Sequence, residues 1–177
     1  MASNKQVEPT TRQGPPRLHE DYLRSFMFGV QDGIVSTTGV VVGISAGVDE
    51  KDVIVLAAFV TIMVEASSMA AGQYSSEKAV HQMDRTGRHK DSLSLGAAVM
   101  FFAYLAGGMI PVIPTLLLEK PASQLVAVLA AFSGLFALGF LKGKLVHEPP
   151  VRSAIELFVI GAVATVIGLA VGFMLKV

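Results

Sequence analysis

The sequence predicts an all-α integral membrane protein of five transmembrane helices. Three observations carry this reading. The 177 residues are 52% hydrophobic and only 16% charged, with a mean hydropathy of +0.58, whereas soluble domains carry about 25% charged residues. The apolar residues fall in five runs, each longer than the roughly 17 to 20 residues that cross a bilayer core. The Lys and Arg residues sort onto alternate ends of those runs, a separation that four or six spans would scramble. None of the runs alternates polar and apolar residues, and a helix satisfies its own backbone in hydrocarbon, so strands are excluded.

Residues 1–17 are polar and Pro-containing, with no apolar core of a signal peptide. They read as a disordered cytoplasmic tail, followed by an interfacial lead-in from Leu18. Residues 18–177 form one transmembrane domain. Its first span, about 25–48, reads SFMFGVQDGIVSTTGVVVGISAGV and holds one carboxylate, Asp32. The second, about 52–79, holds Glu65 and Met69. The third, about 93–118, ends in AGGMIPVIP. There Pro111 and Pro114 remove backbone donors, and they read as a helix terminus, with an exit shaped by irregular backbone as the alternative. The fourth and fifth, about 122–141 and 152–175, have no ionisable group in their apolar interiors and read as scaffold. Arg152 and Glu156 are spaced to pair at the interface.

Orientation follows from the cations. Lys5, Arg12, Arg17, Arg24, Lys78, Arg85, Arg88, Lys90, Lys142, Lys144 and Arg152 fall on one side, and only Lys51, Lys120 and Lys176 on the other. The N-terminus is therefore expected in the cytoplasm and the C-terminus outside or in a lumen. The connections are short, so any activity lies in the bundle or at its faces.

Composition excludes several classes. With no Cys there is no disulfide and no thiolate metal site. A net charge of zero leaves no basic face for nucleic acid. No G-x-S-x-G, H-E-x-x-H, P-loop or dinucleotide fingerprint is present, and no nucleophile–base pair is visible, so the chain is not read as an enzyme.

The informative residues are charges inside hydrocarbon, which are costly and mark ion or proton pathways. Asp32 lies eight residues past Arg24, about 12 Å along the helix. It shares a helical face with Ser36, Gly39, Gly43 and Gly47, a G-x-x-x-G-x-x-x-G ladder that favours close packing. Gly168 and Gly172 make a second such pair. Met69 is expected at a depth comparable to Asp32, and Glu65 one turn deeper. Two carboxylates supply hard oxygens and a route for protons. A thioether tolerates softer transition metals better than Mg²⁺ or Ca²⁺, so the set points to Fe²⁺ or Mn²⁺. Glu77, His81 and Asp84 are spaced to share a face at the cytoplasmic end of the second span. They read as a solvated helix end, with metal capture before entry as the alternative.

Four stretches, FGVQDGIVSTTGVVVGISAG, SSMAAGQYSSE, AYLAGGMIPVIP and ELFVIGAVATVIGLAVG, occur in the order found in the vacuolar iron transporter family. The chain resembles that family over about residues 24 to 175. The resemblance implies five transmembrane helices and a homodimer with a path between protomers. It also implies proton-coupled export of Fe²⁺ or Mn²⁺ from the cytosol, with Asp32 and Met69 on the metal path. Partners would be the metal ion, protons, membrane lipid and a second copy, with no permanently bound cofactor. Many members have a further aspartate where this chain has Ser25, and some a glutamate where it has Thr61. Glu65 is assigned by position, not by the resemblance. The long acidic cytoplasmic domain of the best-known members is replaced by about fourteen residues, as in the family's shorter members. A bacterial plasma membrane is expected, or a vacuolar membrane in a eukaryote. The rival reading is a non-transporting membrane scaffold or regulator that retains the fold.

Overall fold

The computed structural model describes residues 18–83 and 92–175. Five helices follow one another: α1 (Leu18–Gly47), α2 (Lys51–Met83), α3 (Leu93–Leu117), α4 (Ala122–Leu145) and α5 (Pro150–Met174). All five are long and apolar enough to cross a membrane. The expected disordered tail, residues 1–17, lies outside the described residues. The interfacial lead-in is the first turns of α1 itself, and α2 runs four residues past its expected end.

α1 occupies the centre, packing against all four other helices, most extensively against α3. α1, α3 and α5 run parallel and α2 and α4 run against them. In lipid there is no hydrophobic drive between helices, so association depends on close approach at small residues. Gly33 lies against α3: a Cβ there would fall 2.3 Å from the Tyr104 carbonyl oxygen. Gly107 of α3 makes the reciprocal approach to the Val30 carbonyl. The two glycine ladders pair with each other, since a Cβ on Gly172 of α5 would fall 1.9 Å from the Gly43 oxygen of α1. Between these contacts the bundle closes on two apolar clusters. One joins Val41, Ile54, Ala58, Ile62, Val112 and Ala127, and the other joins Ile34, Ala131, Leu135, Leu138 and Leu157. The outward faces of α2 and α5 stay apolar and exposed, with Leu56, Val60, Val64, Val159, Val163 and Val166 facing away from the bundle. Water would penalise such a surface, whereas hydrocarbon does not.

Two expectations are revised. Pro111 and Pro114 do not end α3, which continues to Leu117. Pro111 is buried, and the Thr115 hydroxyl donates to its carbonyl at 3.0 Å. Neighbouring helices hold the segment where backbone hydrogen bonds are missing. Glu156 pairs with Lys142 of α4 at 3.8 Å rather than with Arg152, which joins α4 to α5 at that end.

The opposite end is fastened by charge. The Lys120 ammonium donates to the Ser45 carbonyl at 2.8 Å and the Val48 carbonyl at 2.5 Å, and pairs with Asp49 at 3.1 Å. Gln124 adds a bond to the Ser45 carbonyl at 3.1 Å. These donors satisfy orphan carbonyls at the C-terminus of α1, where a cation also meets the negative end of the helix dipole. Lys120→Met is expected to cost about 1 to 2 kcal/mol in a partly buried setting. Glu119→Gln, which breaks the Lys51 pair on a Glu119 side chain that is 79% exposed, is expected to cost a few tenths of a kcal/mol at most. Thermal unfolding in detergent checks both, and equal melting of the two variants would refute the capping role.

Candidate functional site

A hydrogen-bonded set of polar side chains links α1, α2 and α3. α1 supplies Asp32 and, one turn on, Ser36. α2 supplies Glu65. α3 supplies Tyr104, which is fully buried. The Tyr104 hydroxyl donates to Oε2 of Glu65 and also bonds the Ser36 hydroxyl. A phenol has a single proton, so with that proton on Glu65 the Ser36 hydroxyl is the donor to Tyr104. The sequence runs Ser36 to Tyr104 to Glu65 and links three helices. Asp32 lies within electrostatic range of both Glu65 and Tyr104. The sequence places Asp32 and Glu65 at similar depths and leaves open whether their faces meet; in the structure those faces are linked through Ser36 and Tyr104.

α3 reaches this point because Gly33 and Gly107 bring the α1 and α3 backbones together beside Tyr104. The sequence reading did not single out Tyr104. Its signal was the lone tyrosine of an otherwise apolar span, since a buried phenol hydroxyl needs a partner.

Met69 lies one turn from Glu65 on α2 and is half-buried. From there Gln73, Glu77 and His81 follow at four-residue intervals, all half-buried. Glu77 differs from a solvated helix end. Its carboxylate lies against Gly96 in the first turn of α3 and accepts from Gln73 Nε2 at 2.5 Å. Its Oε2 is buried and has no hydrogen-bond partner among the described residues. Asp84 lies outside the described residues. Ser25 is buried and donates to the Asp21 carbonyl at 3.0 Å.

Among the described residues no three His, Cys, Asp or Glu side chains converge to hold a metal. One chain thus offers two carboxylates in this set, fewer ligands than the four to six that divalent transition metals take. Ser36 also lines an open, apolar groove of about 590 Å³ between α1 and α5. The groove runs along Gly39 and Gly43 past Gly168 to the end of the bundle where α1 and α5 finish.

The chain is similar to the vacuolar iron transporter homolog 2 of Arabidopsis thaliana, 24% identical over 86% of this chain and 83% of that protein. Homolog 3 of the same plant is 28% identical over 82% of this chain and 79% of that protein. The Arabidopsis vacuolar iron transporter 1 is 37% identical over 70 residues, 39% of this chain and only 28% of that protein. The sequence profile of the VIT family matches residues 23–96 and 84–173, which include Asp32, Glu65, Met69 and Tyr104. With the match extending over nearly all of the membrane-spanning part, this chain belongs to the VIT family.

Proposed function

We propose that this protein transports a divalent transition metal, Fe²⁺ or Mn²⁺, out of the cytosol in exchange for protons. The observation that carries the reading is the pairing of the Asp32 and Glu65 carboxylates inside an apolar bundle, in mutual electrostatic range. Two like charges kept together in low dielectric need a compensating cation or protons. Fe²⁺ is favoured by the names of the relatives, and Mn²⁺ shares the same ligand chemistry.

Asp32 and Glu65 are the oxygen ligands and Met69 the soft one. Glu77 and His81 form a capture station at the cytoplasmic end of α2, with Gln73 between it and the centre. The two carboxylates accept protons from the far side as metal departs, which restores the apo site. The transporting unit is a homodimer. A second copy doubles the carboxylates to a number that satisfies a divalent metal, and it covers the open α1–α5 groove that begins at Ser36. The cation asymmetry supports a cytoplasmic N-terminus, and the membrane is proposed to be a bacterial plasma membrane.

The test is flux in proteoliposomes. Metal is expected to accumulate on the side facing the ends of α1 and α5, with counterflow of protons, and to slow when the pH gradient is collapsed. Absence of metal-dependent flux would favour the scaffold reading. Cysteines at Val40 on the groove are expected to crosslink two copies, and a monomer in the membrane would refute the dimer.

A further inference from the structure

We propose that Tyr104 is a positioning residue of the transport site, holding Glu65 in the direction from which it shares a metal with Asp32. This deepens the transport reading above and rests on it. Three observations support the role. Tyr104 is fully buried, so its hydroxyl has no water to turn to. That hydroxyl donates to one Glu65 oxygen, Oε2, and leaves Oε1 outside this bond. Its own oxygen is bonded by Ser36 from α1, the helix that carries Asp32.

The physical consequence is pre-organisation. A glutamate has three rotatable bonds, and an unrestrained carboxylate half-way along a membrane helix samples many directions. Ordering it at the moment of metal binding weakens binding, whereas ordering it beforehand does not. The Ser36 hydroxyl polarises the phenol and makes it a better donor, because hydrogen bonds in a chain reinforce one another in low dielectric. Tyr104 touches a ligand and not the metal. Ser36 lines the α1–α5 groove at the same time, so the hydrogen-bonded chain joins the groove to the carboxylate.

Alternatives elsewhere in the molecule are less well supported. Glu77 has a buried unpartnered oxygen, but its described neighbours do not complete a site. The groove is apolar and is already given to the second copy.

The test uses Tyr104→Phe, which keeps the buried ring and removes only the hydroxyl. Hydrogen bonds to charged groups are worth enough that the KM for Mn²⁺ in proteoliposomes is expected to rise about tenfold. The maximal rate is expected to stay within about twofold, because the ligands themselves remain. Ser36→Ala is expected to raise KM in the same direction by a smaller factor. A double-mutant cycle with Glu65→Gln separates positioning from packing. If Tyr104 acts through Glu65, adding Tyr104→Phe to Glu65→Gln changes the Mn²⁺ affinity of the purified protein little further. Mn²⁺ affinity of the purified variants, followed by the electron paramagnetic resonance of the free ion, gives a second readout that does not need transport.

A Tyr104→Phe variant with the parent's KM and Mn²⁺ affinity would overturn the proposal, as would fully additive effects in the cycle. If Asp32→Asn then still abolishes flux, the transport reading survives and only the role of Tyr104 falls. A parent protein that neither moves nor binds Mn²⁺ overturns both.

Discussion

Replacing Asp32 by Ala is expected to lower Fe²⁺ or Mn²⁺ flux by at least about a hundredfold, since even partners one shell removed from a metal cost 10- to 100-fold when lost. The reasoning starts from burial. Asp32 is half-buried on α1, in electrostatic range of Glu65 and close to the Tyr104 hydroxyl. Removing it halves the number of carboxylates that each copy offers a divalent ion. Asp32→Asn is the sharper variant because it keeps the size and loses only the charge. Glu65→Gln is expected to follow it and Met69→Ala to be milder, since a thioether adds preference more than affinity for these ions. Proteoliposome flux checks the series. Parent-like transport by Asp32→Asn would remove the central carboxylate pair from the mechanism. Unfolding by the same substitution is not expected, because loss of a buried like-charge repulsion favours the folded bundle.

The second large effect concerns the backbone contacts. Gly33→Ala and Gly172→Ala are each expected to destabilise the protein by about 1 to 3 kcal/mol, the range for overpacking. The atoms in the way are carbonyl oxygens of the facing helices, Tyr104 and Gly43, at 2.3 and 1.9 Å from the added Cβ. Backbone cannot rotate aside as a side chain can, so α1 must separate from α3 or from α5. Gly33→Ala is expected to cut transport as well, because the helix it displaces carries the hydroxyl that holds Glu65. Gly172→Ala lies farther along and is expected to act on stability first. Gly72→Ala is the internal comparison: nothing lies within 4 Å of a Cβ there. The helix propensity gain alone makes it neutral or stabilising by roughly 0.5 to 1 kcal/mol. Thermal unfolding of the three variants in one detergent decides the matter. Similar melting of Gly33→Ala and Gly72→Ala would mean that close α1–α3 approach is not what holds the bundle.

Membership of the VIT family and the central carboxylate pair point the same way, although they come from different properties of the chain. The profile match rests on residue order along the sequence. The carboxylate pair rests on contact between helices whose members are over thirty residues apart, Asp32 and Glu65. With only a short connection between α2 and α3, the proposed capture of metal falls to α2 itself. There Glu77, against Gly96, is half-buried, as are Gln73, Met69 and Glu65 at four-residue intervals before it.

Much of this was legible in the chain alone. The apolar runs fixed five helices, because only a helix closes its own backbone bonds in hydrocarbon. Asp32 and Glu65 were conspicuous because charges in such runs are rare and expensive. What the sequence left open was which faces meet. In water, a polar stripe marks the outside of a helix and an apolar stripe the core. In lipid both sides are apolar, so that contrast disappears and periodicity no longer orients the helix. The pairing of the Gly43 ladder with Gly172, the continuation of α3 through Pro111 and Pro114, and the burial of Glu77 all depended on contacts between helices. So did Tyr104, whose hydroxyl acquires its role only when Ser36 and Glu65 arrive on either side of it. The sequence by itself determined how many helices cross and which charges they carry inward. The tertiary structure decided which of those charges share a site, because close packing at small residues, not amphipathicity, sets the rotation of each helix about its axis.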